Sequence, residues 1–253
     1  MVAVVVAAAV VVNNNILVSK TMRVLDLTMR ITPSIRVYPG SPQPSFIPWS
    51  KFDRHGYDSE AMFMSTHTGT HVDAPSHFKP GLASIDMISS DRLICNAVLI
   101  RVEKSANQLI EEQDLGNHHQ IRDGDAVVIA TGWEKRSGSR NYMTENPGLS
   151  EQAARYLARK RVNAVAIDCP SIDSGADSRF IAHNILLSCN ILVVENVCNL
   201  NRLTRSSRRS RRSRRSRSSA TTTTTTTTTF TLIISPLKLG GATGSPARVL
   251  ALL

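Results

Sequence analysis

The stretch LSEQAARYLARKRVNAVAI, residues 149–167, predicts a helix that leads into a buried strand. Ser150 is a favourable N-cap, because its hydroxyl can accept a hydrogen bond from a free backbone N–H of the first turn. Apolar residues recur at helical spacing from Ala153 to Ala158 and would share one face of the helix. Residues 162–167 are mostly apolar and include β-branched side chains, as expected for a strand. A helix followed directly by a strand is typical of an α/β fold.

The rest of the chain supports the same fold class. A second helix is predicted over 180–187 and a further strand over 191–195, which repeats the alternation. Strands dominate elsewhere; they are predicted at 24–28, 94–102, 126–130, 230–237 and, after a glycine-rich turn, within 240–253. Residues 33–48 are rich in proline, glycine and serine and are interpreted as loops. We therefore expect one α/β domain around a mixed sheet or a barrel-like core.

Composition limits how this domain can be organised. The 253 residues are 42% hydrophobic, which is enough for a sizeable core, and no run reaches the ~18 apolar residues of a membrane-spanning helix. Most of the net charge of +10 lies in one segment, because residues 205–217 hold eight arginines. Without them the chain would carry +2. We predict a low-complexity apolar leader at 1–21 and a domain at 22–253. A disordered insert at 204–229 interrupts it, since its Arg/Ser and Thr tracts have no apolar side chains to bury.

The first twelve residues, MVAVVVAAAVVV, raise the question of secretion. Their length suits the apolar part of a signal peptide, but the basic region that should precede it is missing. A low-complexity leader or an extra strand is therefore the preferred interpretation. The four cysteines are widely spaced and form no C-x-x-C pair, so we expect free thiols in a reducing, cytoplasmic compartment. Secretion is the secondary alternative.

Residues 65–80, STHTGTHVDAPSHFKP, carry the strongest signal for chemistry. Three histidines and one aspartate fall within eleven residues: His67, His71, Asp73 and His77. Imidazole nitrogens and carboxylate oxygens are the usual ligands of a catalytic Zn²⁺ or Mn²⁺. In an extended segment His71 and Asp73 point to the same side, and a tight turn at Gly69 would let His67 join them. A helix that stacks His67 on His71 is less favoured, because the β-branched residues and Gly69 oppose it.

Other candidate residues give weaker signals. Position 68 is Thr, so the segment differs from the H-E-x-x-H zinc motif and a general base must come from elsewhere, with His77 as the nearest candidate. Phe46 and Trp49 could stack on an aromatic substrate, although core packing is the preferred interpretation. Asp168 ends a predicted strand near a proline turn, and a structural hydrogen-bonding role is preferred over a catalytic one.

The segment HTGTHVDAPSHF, residues 67–78, closely resembles the H-x-G-T-H-x-D-x-P-x-H signature of the cyclase family of metal-dependent hydrolases. That family includes bacterial-type kynurenine formamidases and isatin hydrolases. The similarity extends over essentially residues 22–203 and 230–253 and includes NPGLSEQAARYL at 146–157 and AIDCPSIDSG at 166–175. The resemblance implies a swivelling β/β/α domain that assembles as a homodimer or a larger homo-oligomer.

The resemblance also implies roles for individual residues. His67, His71 and Asp73 would bind a first divalent metal ion, Zn or Mn. Asp73 would bridge to a second ion that is also held by His183 and Glu195. One or two ions are therefore expected, and every ligand position carries a residue of the expected type.

The implied reaction is the hydrolysis of an amide or formamide bond in a small molecule, with His77 as the catalytic acid and base. The first candidate is an arylformamidase of tryptophan catabolism, which converts N-formylkynurenine to kynurenine and formate. Hydrolysis of a cyclic amide such as isatin is the alternative. The sequence itself does not choose between the two substrates.

The Arg/Ser tract supports a hypothesis of another class, an RNA- or protein-interaction module. Guanidinium groups bind phosphates without sequence selectivity. However, residues 205–217 contain no aromatic side chains that could stack on bases, and the adjoining run of nine threonines suggests simple-sequence expansion. A passive insert is therefore preferred, and nucleic acid is expected as a partner only through this tract.

Overall fold

The computed structural model describes residues 11–12, 15–16, 22–116, 121–203 and 228–253. Most of the apolar leader and nearly all of the Arg/Ser–Thr insert lie outside these ranges, so the predictions made for both segments stay predictions. Within the described ranges, no helix has both the length and the apolar character needed to cross a bilayer.

One mixed sheet of eight strands organises the chain. The strands of the described residues are β1 (Val11–Val12), β2 (Asn15–Ile16), β3 (Val24–Asp26), β4 (Ser45–Ser50), β5 (Ser59–Phe63), β6 (His71–Asp73), β7 (Ile94–Arg101), β8 (Leu109–Ile110), β9 (Ala126–Ala130), β10 (Gly148–Leu149), β11 (Ala164–Ile167), β12 (Leu192–Glu195), β13 (Thr228–Pro236) and β14 (Gly244–Leu252). The order in the main sheet is β13-β7-β9-β11-β12-β6-β14-β3. Because β13 also pairs with β14, seven strands close into a ring and β3 extends it at β14. The predicted α/β class with a mixed, barrel-like core is confirmed.

The middle of the sheet is buried on both faces, which explains the uninterrupted apolar sequences of β9 and β11. β7, β9, β11 and β12 are neighbours that run parallel to one another. Successive residues of a strand point to opposite faces. On β9, Val128 therefore packs in the cluster shared with β13 and β14, whereas Val127 and Ile129 pack in a second cluster that includes helix residues.

Three α-helices and six short 3-10 helices occur in the described residues. They are α1 (Phe52–His55), α2 (Glu151–Arg159) and α3 (Ile181–Ser188), with 3-10 helices at Pro75–His77, Ile85–Met87, Ser90–Arg92, Glu112–Leu115, Trp133–Arg136 and Leu200–Arg202. The predicted cap of α2 is confirmed, because the Ser150 hydroxyl accepts a hydrogen bond from the N–H of Ala153 at 3.2 Å. Such a cap stabilises a helix by about 1 kcal/mol. α3 begins one residue later than predicted, because Phe180 adopts a left-handed φ of 52°.

The last four residues of the segment predicted as loops, residues 33–48, belong to the first strand of a hairpin. β4 pairs with β5 in an antiparallel ribbon, and α1 lies between them. Prolines are tolerated in such a ribbon, because each strand has an unpaired side on which a missing N–H breaks no ladder bond. Phe46 is 38% exposed and Trp49 is 76% exposed, so the preferred interpretation of both as core residues is wrong.

The end of the predicted insert also needs correction. β13 begins at Thr228 rather than at residue 230, and Thr228 and Thr229 pair with Leu99 and Val98 of β7. Threonine is β-branched and suits a strand. The composition of the threonine run therefore placed this boundary two residues too late.

Candidate metal centre

β6 brings the central residues of the histidine-rich segment into the main sheet. It pairs with β12 on one side and with β14 on the other, which confirms the extended conformation and rules out the stacked helix. In the antiparallel register of β12 and β6, Glu195 lies directly opposite His71. Two segments that are distant in sequence therefore deliver their side chains to the same place.

Two glycines allow His67 to fold back towards this strand. Gly69 has a left-handed φ of 64°, as the predicted tight turn requires, and a Cβ there would lie 2.9 Å from Ile31 Cγ1. Gly244 leaves room for the imidazole ring, because a Cβ there would lie 2.5 Å from His67 Cε1. As a result, His67 Nδ1 lies 2.6 Å from Asp73 Oδ1.

Asp73 joins two groups of potential metal ligands. Its Oδ1 lies 3.4 Å from His71 Nε2, and its Oδ2 lies 3.3 Å from His183 Nε2. Glu195 closes the cluster, with its Oε1 at 3.1 Å from His183 Nε2 and its Oε2 at 3.4 Å from His71 Nε2. Two groups of three residues each offer donor atoms that lie within 4.8 Å of one another. The first group is His67, His71 and Asp73, and the second is Asp73, His183 and Glu195. The structure thus brings together all five residues predicted as metal ligands.

The two central carboxylates need positive charge beside them, because Asp73 is only 1% exposed and Glu195 only 4%. Burial by itself lowers the pKa of His71, but Asp73 and Glu195 outweigh it and raise that pKa to about 9. Burial likewise opposes protonation of His183, yet its carboxylate partners raise its pKa well above the ordinary value. A divalent cation would supply the same compensating charge in place of these protons. The donor set therefore fits a Zn²⁺- or Mn²⁺-type ion.

Asp173 orients His183 towards the cluster. Its Oδ2 lies 2.5 Å from His183 Nδ1, and its carboxylate also accepts hydrogen bonds from the backbone N–H groups of Ala182 and His183 at the start of α3. A carboxylate that holds one ring nitrogen of a histidine fixes the other nitrogen for metal binding. Asp173 was not predicted from the sequence, although an acidic residue in the loop that leads into the helix of a candidate ligand was an available signal.

His71 is oriented by a different set of contacts. Its Nδ1 donates a hydrogen bond to the carbonyl oxygen of Gly69 at 2.9 Å, which leaves Nε2 directed at the cluster. The side chain of Asn196 donates to the same carbonyl at 3.0 Å, and the Tyr142 hydroxyl donates to Asn196 Oδ1 at 2.8 Å. Neither Tyr142 nor Asn196 was predicted from the sequence, because their contacts join distant segments and leave no local pattern.

His77 lies beside the two donor groups. In the part of the chain that the structure describes, it belongs to neither group. It ends the 3-10 helix Pro75–His77, and its ring stacks on the ring of His67 with centroids 4.0 Å apart. Burial is the main cause that lowers the pKa of His77 to about 4; Asp73 opposes this effect, and the neighbouring histidines reinforce it. His77 is therefore neutral at pH 7 and can accept a proton.

The cluster lies in a cavity of about 260 Å³. Besides the metal-ligand candidates and His77, its lining includes Arg36, Tyr38, Phe78, Met143 and Phe180. The Phe78 ring stacks on the His183 ring with centroids 4.7 Å apart, and Phe180 tilts against Phe78 at 5.5 Å. The walls next to the donor atoms are thus aromatic and apolar, as in sites for small aromatic molecules.

Asp168 has the structural role that the sequence predicted. Its carboxylate accepts hydrogen bonds from the backbone N–H groups of Thr131 and Gly132 and from the Thr131 hydroxyl, at 2.6–2.8 Å. Burial raises its pKa against the effect of these bonds. Neither Asp168 nor the exposed Phe46 and Trp49 lines the cavity.

Comparisons with known proteins agree with this geometry. The family model described as "Putative cyclase" matches residues 25–174. A kynurenine formamidase of Bacillus cereus is 26% identical over 231 residues, which cover 90% of this chain and 97% of that protein. Isatin hydrolase of Roseibium aggregatum is 27% identical over 226 residues, which cover 78% of each chain. A solved structure described as a potential metal-dependent hydrolase with cyclase activity has a TM-score of 0.70 at 26% identity and covers 92% of this chain and 98% of that one.

Proposed function

Since the chain belongs to the cyclase family, we propose that it is a metal-dependent hydrolase of aryl formamides that converts N-formylkynurenine to kynurenine and formate. The observation that carries this proposal is the meeting of two donor groups at Asp73 inside a cavity with aromatic walls. Similarity to kynurenine formamidase over most of the chain supports the choice of substrate.

The same cluster defines where metal ions would bind. His67, His71 and Asp73 would hold a first ion, and Asp73, His183 and Glu195 would hold a second, either Zn²⁺ or Mn²⁺. A divalent ion bound there would lower the pKa of a water molecule and polarise a carbonyl oxygen. Asp173 and the Gly69 carbonyl would keep His183 and His71 in the orientation that this binding needs.

His77 is the residue we assign to proton transfer. Because it is neutral at pH 7 and lies beside the donor groups, it can accept a proton from the attacking water. The hydroxyl of that water joins the formyl carbon, the C–N bond breaks, and His77 returns the proton to the amine nitrogen, which leaves poorly without it. Phe78 and Phe180 would hold the aromatic ring and restrict access of bulk water.

A cyclic amide such as isatin is the second candidate substrate, because the chain is 27% identical to an isatin hydrolase. Both candidates place a hydrolysable amide next to an aromatic ring and would suit the Phe78–Phe180 wall. The arrangement of the donor atoms is compatible with either carbonyl.

One experiment tests both candidates. The protein is stripped with a chelator, reloaded with Zn²⁺ or Mn²⁺, and assayed against N-formylkynurenine and isatin. We expect hydrolysis of N-formylkynurenine only after reloading, with a lower kcat/KM for isatin. Glu195→Gln should need more metal for half-maximal activity, whereas Glu60→Gln, at an exposed hairpin carboxylate, should behave as wild type. Activity that survives chelation, or no activity on either compound with either ion, would contradict the proposal.

We further propose that the chain acts as a homodimer or larger homo-oligomer in the cytoplasm. The exposed apolar side chains of the β4–β5 hairpin support self-association, because exposed patches of this kind often mark protein interfaces. The four cysteines are free, which supports a reducing compartment.

A further inference from the structure

The loop between β3 and β4 contributes a positively charged side chain to the lining of the cavity. Arg36 and Tyr38 of this loop line the same cavity as the metal-ligand candidates. Of the cavity-lining residues that the structure describes, Arg36 is the only arginine or lysine. Arg36 therefore adds a permanent positive charge to the lining, whereas the charge of the histidines depends on protonation.

Several contacts hold this loop in place. Ile31 and Ile35 pack closely over Gly69, the turn residue of the histidine-rich segment. The side-chain amide of Gln43 donates hydrogen bonds to the carbonyl oxygens of Pro33 at 2.8 Å and of Ile35 at 2.7 Å. The backbone just before Arg36 is thereby held against Gly69 and is also joined to Gln43 further along the loop. Little of that loop would need to be ordered when a ligand binds.

The guanidinium of Arg36 has donors to spare. One Nη2 hydrogen bond goes to the backbone carbonyl of Gly138 at 3.3 Å. None of the ion pairs found among the described residues involves Arg36. A guanidinium presents five N–H donors and matches a carboxylate in a bidentate geometry. The remaining donors can therefore bind an anionic group of a ligand in the cavity.

We infer that Arg36 binds the carboxylate of the substrate and makes the site selective for aryl formamides that carry one. This inference rests on the proposed function and adds pocket chemistry to the choice of substrate. N-formylkynurenine carries an amino-acid carboxylate, whereas isatin is uncharged. Arg36 is a specificity-determining residue in this scheme and takes no part in proton transfer.

The test compares two substrates that differ only in that group: N-formylkynurenine and its decarboxylated analogue N-formylkynuramine. We expect Arg36→Gln to lower kcat/KM for N-formylkynurenine by about 10–100-fold, mainly through KM, because a charge-assisted hydrogen bond is lost. The value for N-formylkynuramine should stay within about twofold of wild type. Arg36→Lys should fall between the two, since it keeps the charge without the bidentate geometry. Arg54→Gln, at an exposed arginine of α1 outside the cavity, is the matched control.

Equal losses on both substrates, or no loss on either, would overturn the inference. If the wild type hydrolyses neither compound, the proposed function fails, and binding then decides the role of Arg36. Calorimetry with the metal-loaded protein would compare kynurenine with kynuramine, which lacks only the carboxylate. Tighter binding of kynurenine that disappears in Arg36→Gln would support carboxylate recognition, whereas equal affinities would reject it. Unchanged metal content and melting temperature of Arg36→Gln would show that the fold is intact.

Discussion

His77 differs from the other histidines of its segment in its surroundings. His67 and His71 contact the Asp73 carboxylate, whereas His77 contacts the ring of His67 and the apolar ring of Phe78. Burial in that position favours the neutral form and lowers its pKa to about 4. His77 is therefore present at neutral pH as an uncharged imidazole, which is the form that can accept a proton.

We therefore expect His77→Ala to keep its metal and lose its turnover. The metal content of the purified variant should equal that of wild type, and kcat for N-formylkynurenine should fall about 10²–10⁴-fold. His71→Ala is the contrasting variant, because removal of a ligand candidate should reduce both bound metal and activity. Atomic emission and steady-state kinetics measure the two quantities. If His77→Ala lost metal to the same degree as His71→Ala, His77 would be a ligand.

The site was predictable where its residues share a short segment. His67, His71, Asp73 and His77 fall in one run, and their residue types alone suggest a metal ion. Asn196 and Tyr142, by contrast, act through hydrogen bonds that form only after distant segments meet. A tyrosine or an asparagine has many ordinary roles, so nothing in the sequence around either residue marks it as a support of the cluster.

At the scale of elements, β9 and α2 could be predicted from their own sequences, whereas the β4–β5 hairpin could not. β9 is apolar throughout because both of its faces are buried, and α2 has a cap and an apolar face, so each carries its own signal. β4 carries a proline, Pro48, and its apolar side chains are exposed, so its sequence indicated a loop. The pairing with β5 that makes it a strand is not visible in either segment alone.

The hairpin offers a direct test of self-association. Trp49 and Phe63 are among its most exposed apolar residues. We expect the double variant Trp49→Ser, Phe63→Ser to lower the oligomer mass, measured by light scattering after size exclusion, because the apolar area available for burial is reduced. Glu60→Gln on the same hairpin is the control and should leave the mass unchanged. A wild type that is monomeric at micromolar concentration would contradict the proposed homo-oligomer.

At the scale of the whole molecule, β13 closes the ring of strands immediately after the insert. The two described residues that flank the insert both attach to the end of β7. Thr228 pairs with Leu99, and Arg101 donates hydrogen bonds from its side chain to the carbonyl oxygens of Leu200 and Leu203. Leu203 is also fully buried in the core. Ring closure is therefore anchored on both sides by contacts that need no residue of 204–227.

We accordingly expect the insert to be dispensable for hydrolysis. Replacing residues 204–227 with a short Gly/Ser linker, and keeping Thr228 and Thr229 in β13, should leave kcat/KM within about twofold of wild type, because loop closure depends only weakly on length. A full-length variant with the eight arginines of 205–217 changed to serine separates charge from length. Loss of activity in the folded linker variant, with activity retained in the serine variant, would show that the catalytic domain needs the length of the insert. RNA binding that weakens steeply with salt and is absent from both variants would instead assign the arginines a separate interaction, because phosphate contacts release counterions.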